Sequence, residues 1–251
     1  MSFATAMIQK LIGAQTGDSV VAERQLRMNA YSELAVRDTP ANYYGMAEEG
    51  SLILATNPTP STGLAWVSAQ TAFSDTAPNF YIYNNEQAGG KALRLHYLKL
   101  ITTTAATSAS AVHYAVVVDQ AARAFTTDNM AVVIPVSPNG CLGLTTVPVI
   151  KVQSNTTTSA IAASSGQKRI VARGCLGGLN IAGDVLQIYF GELTPTAMSA
   201  TAVTAAGQPG RRVDNSPPVC IPPGGSAVIH IWMPGSSASI VPEFELLLSA
   251  K

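Results

Sequence analysis

Gly17-Asp18-Ser19-Val20 is the first stretch with residue types suited to covalent chemistry. A serine so placed can act as a nucleophile if it sits at a strand-to-helix turn and a later Asp-x-x-His supplies the base. No Asp-x-x-His occurs in the chain, so Asp18 or Ser19 reads as a helix N-cap. Gly89-Gly90-Lys91-Ala92 has the glycines and lysine that end a phosphate loop. It lacks the next hydroxyl residue, which would hold Mg²⁺, and the earlier glycine is misplaced. A hairpin turn explains it better. Arg173-Gly174-Cys175-Leu176-Gly177-Gly178 follows no strand–helix pattern and reads as a turn or bulge.

The three histidines, His96, His113 and His230, each sit between apolar residues of a strand-like segment. If the segments around His96 and His113 pair, the two rings face each other. Two imidazoles alone do not make a metal site, so half-buried strand histidines are expected. Cys141, Cys175 and Cys220 are far apart, odd in number and without CxxC spacing. They read as small buried hydrophobes in a reducing compartment. Glu48 and Glu49 precede a strand, and Glu243 and Glu245 alternate with Phe244 and Leu246, as an exposed strand face would. No nucleophile–base pair, acid/base pair or metal set emerges, so the expectation is a protein that is not an enzyme and takes no cofactor.

Composition points elsewhere. Charged residues are 12% of the 251, with 15 basic and 15 acidic side chains in balance, about half the usual charge of a soluble domain. A protein built to neutralise phosphates needs a basic surface, so strong nucleic-acid binding is not expected. No apolar run reaches the roughly 18 residues that span a bilayer, and MSFATAMIQKLIGAQ does not read as a signal peptide. A neutral, sparsely charged surface is a solubility hazard unless neighbouring subunits cover it.

The elements that must position these residues are mostly strands. Residues 1–37 read as an N-terminal arm, helical or extended. Phe3, Met7 and Leu11 recur at i, i+4, i+8 on a short amphipathic stretch and are the candidate interface residues. Residues 18–37 fit a helix or a strand. Residues 38–251 read as one β domain. SLILAT, LAWVSAQTAF, NFYIYNN, ALRLHYLKLI, AVHYAVVVD, MAVVIPVS, LTTVPVIKVQ, QKRIVARGCLGGL, DVLQIYFGEL, SAVIHIWMP and VPEFELLLSA are the candidate strands, parted by turns such as NNEQAGG, SPNG and PPGGS. ALRLHYLKLI alternates with Leu93, Leu95 and Tyr97 on one face, then slips phase at Tyr97-Leu98, which predicts a bulge. Val112, Tyr114, Val116 and Val118 share a face of the next strand. Residues 191–218 read as a long low-complexity connection. Ten or eleven short strands without intervening helices predict an all-β, antiparallel β-sandwich.

NAYSELAV, EEGSLILATNPTPSTGLA, ALRLHYLKLITTTAATSASAVHYAVVVD and IPPGGSAVIHIWMPG resemble segments of tailed-bacteriophage virion structural proteins: minor capsid, decoration or cement proteins with jelly-roll-like domains. The resemblance runs from about residue 27 to 235 and rests on segment order and texture. It implies a jelly roll, no active site, and a role in decorating or cementing a capsid. The implied partners are other copies of the chain, as a trimer, and the major capsid protein or other virion proteins, in a virion assembled in the host bacterial cytoplasm. The Thr/Ala/Ser run at 102–111 is then a connection that lies along a neighbour or forms a surface loop. The rival reading is a receptor- or glycan-binding spike or fibre head, with Tyr43, Tyr44, Trp66, Tyr81 and Tyr83 as stacking platforms.

Overall fold

The computed structural model describes residues 46–47, 50–57, 59, 61, 63, 71–104, 111–124, 130–136, 147–153, 161–164, 169–176, 182–191, 211–234 and 241–250. All of them fall in one compact unit, Ala41–Lys251. The arm, with Phe3, Met7 and Leu11, lies outside the described residues, as do Asp18, Ser19, Tyr43, Tyr44, Trp66 and Cys141.

Twelve strands are described: β1 (Leu52–Thr56), β2 (Phe80–Tyr83), β3 (Leu93–Thr104), β4 (Val112–Asp119), β5 (Met130–Val133), β6 (Val149–Gln153), β7 (Arg169–Leu176), β8 (Val185–Phe190), β9 (Arg211–Ser216), β10 (Val219–Ile221), β11 (Ser226–Trp232) and β12 (Val241–Ala250). They form two sheets. The first runs β1-β12-β3-β8-β9, with β10 also on β3; the second runs β5-β6-β2-β11-β4-β7. The chain is an all-β sandwich. Its described pairs are antiparallel apart from β8–β9, which is parallel.

Period-2 alternation builds the interior. Ile53 and Ala55, Leu98 and Leu100, Leu186 and Ile188, and Leu246 and Leu248 point inward from the first sheet. Phe80 and Ile82, Val112, Tyr114 and Val116, and Ile229 and Ile231 meet them from the second. Each fully buried Leu or Ile contributes roughly 1.5–3 kcal/mol. Phe80 and Phe244 cross this layer edge to face, with ring centres 5.3 Å apart.

The phase slip in β3 is real and sits one residue earlier than the pattern places it. On β12, Leu247 faces Tyr97 while Leu248 faces Leu95, so His96 is the extra, bulged residue. Leu93 and Leu95 point inward before the bulge, and Leu98 and Leu100 after it. Tyr97 therefore lies on the outer face, a correction to its grouping with Leu93 and Leu95. A second correction concerns 191–218. Arg211–Ser216 is strand β9, on the edge of the first sheet. Asp214 and Ser216, which point inward from it, are polar, so no apolar period marks it.

The second sheet is covered on its outer side too. Tyr81, Val117, Met130, Ile161 and Val228 form a smaller apolar cluster there, with Tyr83 beside it. Residues 71–79, 119–124 and 161–164 are pinned around it. The Ile161 amide donates to the Thr76 carbonyl at 3.2 Å, and that of Ala162 to the Ala124 carbonyl at 2.8 Å. Residues 71–73, the end of the candidate strand LAWVSAQTAF, belong to this cover and are not in a strand.

Candidate functional site

Arg123 is the most deeply buried charge in the cover, with its side chain 3% exposed. Its Nε donates to Asp119 Oδ2 at 2.5 Å, and its Nη1 to the Asp75 carboxylate at 3.1 Å and carbonyl at 2.9 Å. Ser164 closes the ring, its Oγ donating to Asp119 at 2.7 Å and its amide to Asp75 at 3.2 Å. A guanidinium held between two carboxylates orders three loops. Sequence reading missed this cluster because its members are 48 and 89 residues apart.

A second polar contact ties the sheets together. The Tyr114 phenol, buried between them, donates to Asp214 Oδ2 at 2.6 Å and lies 3.3 Å from Ser216 Oγ. Burial raises its pKa above the ordinary phenol value, and the Asp214 carboxylate adds to the shift. A side chain on Gly174 would collide with both Tyr114 and Asp214. Gly174 is therefore a close-approach glycine inside β7, a correction to its reading as a turn or bulge. Gly89 sits in a turn, at φ +86°, where Gly90 N–H meets the Gln87 carbonyl at 2.8 Å; the turn links β2 and β3 of different sheets, a correction to its reading as a hairpin turn.

His96 and His113 do not face each other, because β3 and β4 belong to different sheets. His96 Nε2 lies 2.8 Å from Ser249 Oγ. Burial and then Arg94 lower its pKa. His230 is wholly buried, not half-buried, because the Phe73 ring packs on it edge to face at 4.8 Å. Cys175 and Cys220 are exposed, not buried: each falls on the outward phase of its strand. Tyr81 is 2% exposed and belongs to the cover.

The outer face of the first sheet carries a cross-strand ladder. Tyr97 faces Tyr189, with ring centres 6.0 Å apart at 63°. The Tyr97 hydroxyl donates to Glu245, Lys99 lies 3.6 Å from Glu245, and Arg211 donates to Gln187 at 2.5 Å. Glu245 is about one-third exposed, so the expected outward face is partly covered.

Among the described residues, most of the exposed large apolar side chains lie on one hairpin, with Ile170 on β7 and Phe73 elsewhere. Val132 is 64% exposed, Ile134 81%, Val136 52% and Val147 40%. Val132, Ile134 and Val136 alternate outward from β5 and its continuation, while Val133 faces the core. The β5–β6 register, Val133 opposite Ile150, carried onward sets Val136 opposite Val147. The Val136 backbone exchanges hydrogen bonds with Leu54 at 2.8 Å, which anchors the stripe to β1. Residues 129–150 contain no Asp, Glu, Lys, Arg or His. Lys151 stands opposite Val132 across β5–β6 and is the charge nearest the stripe in the register; exposed apolar stripes at sheet edges are a common site of pairing or association.

Among the described residues, no three His, Cys, Asp or Glu side chains gather as a metal group, and no helix is long and apolar enough to cross a membrane. The chain matches no family model, no curated protein and no solved structure.

Proposed function

We propose that this chain is a structural component of a bacteriophage virion. It decorates or cements the capsid through contacts with copies of itself, as a trimer, and with the major capsid protein. The observation that carries this reading is the uncharged stripe of Val132, Ile134, Val136 and Val147. Chain connectivity supports it. With β5–β6 and β9–β10 set aside, the remaining eight strands in chain order pair as 1-8-3-6 and 2-7-4-5. That order supports a jelly-roll wrap of the two sheets. The stripe lies on the β5–β6 hairpin, outside those eight strands, where a partner can be engaged without disturbing the core.

The test is a Val132→Glu/Ile134→Glu double variant. Both side chains are exposed, so folding stability should change by no more than about 0.5 kcal/mol for each. Occupancy on heads that lack the protein should fall at least tenfold, because each desolvated apolar contact is replaced by a carboxylate. Unchanged occupancy would reject the reading.

A receptor- or glycan-binding module is the second reading, and the Tyr97–Tyr189 ladder favours it. Paired tyrosines beside Glu245, Gln187 and Arg211 offer a stacking face with polar groups around it. Glycan-array binding that Tyr97→Ala abolishes would establish it, and a blank array would remove it.

A further inference from the structure

One row across the second sheet is unused by either reading. Cys175 on β7 sits directly opposite His113 on β4, and His113 sits opposite Trp232 on β11. The Cys175 Sγ to His113 Nε2 distance is 3.4 Å. The imidazole stacks on the Trp232 indole at 5.6 Å and 21°. Phe73 braces that indole edge-on at 5.8 Å. The ring is thus held with Nε2 turned toward an exposed sulfur, on a strand that ends its sheet.

We infer that Cys175 and His113 form half of a tetrahedral zinc site, completed by the same two residues of a second copy of this chain. Zinc takes sulfur at about 2.3 Å and imidazole nitrogen at about 2.0–2.1 Å, so two ligands at a tetrahedral angle stand about 3.5 Å apart. The observed 3.4 Å matches that bite. A linear two-coordinate ion would need about 4.4 Å by the same bond lengths.

Charge selects the shared form. Arg173 faces the same side of β7, two residues and roughly 7 Å along the strand. A zinc ion on one thiolate would keep a net positive charge beside that guanidinium. Two thiolates neutralise the ion, so a Cys₂His₂ site carries no net charge. Each copy loses one thiol proton on binding and keeps its imidazole neutral. The inference goes beyond the virion reading and does not depend on it.

The test uses the full chain under reducing conditions. Cobalt(II) titration should give tetrahedral d–d bands and thiolate-to-cobalt absorption that saturate at one metal per two chains. Zinc should double the sedimenting mass of the metal-free species, and EDTA should reverse it. Losing even an outer-shell partner weakens metal binding roughly 10–100-fold, so Cys175→Ser and His113→Gln should each weaken it by more than about tenfold. Cys220→Ser should leave it intact. Both ligand substitutions are at the surface, and circular dichroism checks that the fold persists. Saturation at one metal per chain without a change in mass would overturn the shared site. Binding that survives Cys175→Ser would overturn the site altogether.

Discussion

Arg123 concentrates more of the fold's polar energetics than any other described residue. Its guanidinium reaches Asp119 and Asp75 from a site that water scarcely enters. Arg123→Ala would leave both carboxylates without their counter-charge, which costs about 3–5 kcal/mol. Urea unfolding monitored by circular dichroism measures that loss. Tyr114 acts at the same scale and has a pH signature. Burial raises the pKa of Tyr114, and of Tyr81, above the ordinary phenol value of 10.0. Above pH 10 the unfolded chain releases phenol protons that the folded chain retains. Their contribution is intact below pH 10 and falls as pH rises above it. Tyr114→Phe removes one of the two terms, so stability should decline less steeply between pH 10 and 11.5 than in the wild type. It should also lower stability at pH 7 by about 1–2 kcal/mol, because Asp214 loses its donor. An unaltered alkaline slope would show that Tyr114 is not the titrating group.

Strands succeed or fail as readable elements according to what their inward residues are. β3 was legible to within one residue of its bulge, because Leu93, Leu95, Leu98 and Leu100 are all apolar and the phase change lies between the second and third; Tyr97, apolar enough to pass for an inward residue, hid its exact place. β9 was not legible, because Asp214 and Ser216 point inward to meet the Tyr114 hydroxyl, and a polar inward phase looks like a loop. β5 misled in the opposite sense. MAVVIPV has the composition of a buried strand, yet Val132 and Ile134 are more than half exposed. Gly174 reads as a turn residue by type and proves to be a packing requirement. Gly174→Ala should destabilise by about 1–3 kcal/mol, since β7 must move from Tyr114 and Asp214 to admit a methyl. A matched thermal melt would show it; a variant as stable as the wild type would mean that β7 and β9 do not pack this closely.

Taken together, the described residues have a well-filled interior, a cover over the second sheet, and an apolar stripe left in water on β5–β6. Sandwich architecture followed from strand count and the lack of helical periods. The location of the sticky surface did not, because exposure depends on which hairpin lies outside the eight-strand wrap. On the proposed reading, the low charge of the chain and the stripe on β5–β6 have one cause: a coat partner would exclude water from that hairpin. A cryo-electron-microscopy map of the particle carrying this chain tests it most directly. The expected result is neighbouring protein density against Val132, Ile134, Val136 and Val147. Well-resolved copies with that hairpin facing open solvent, or particles with no copy of the chain, would contradict it.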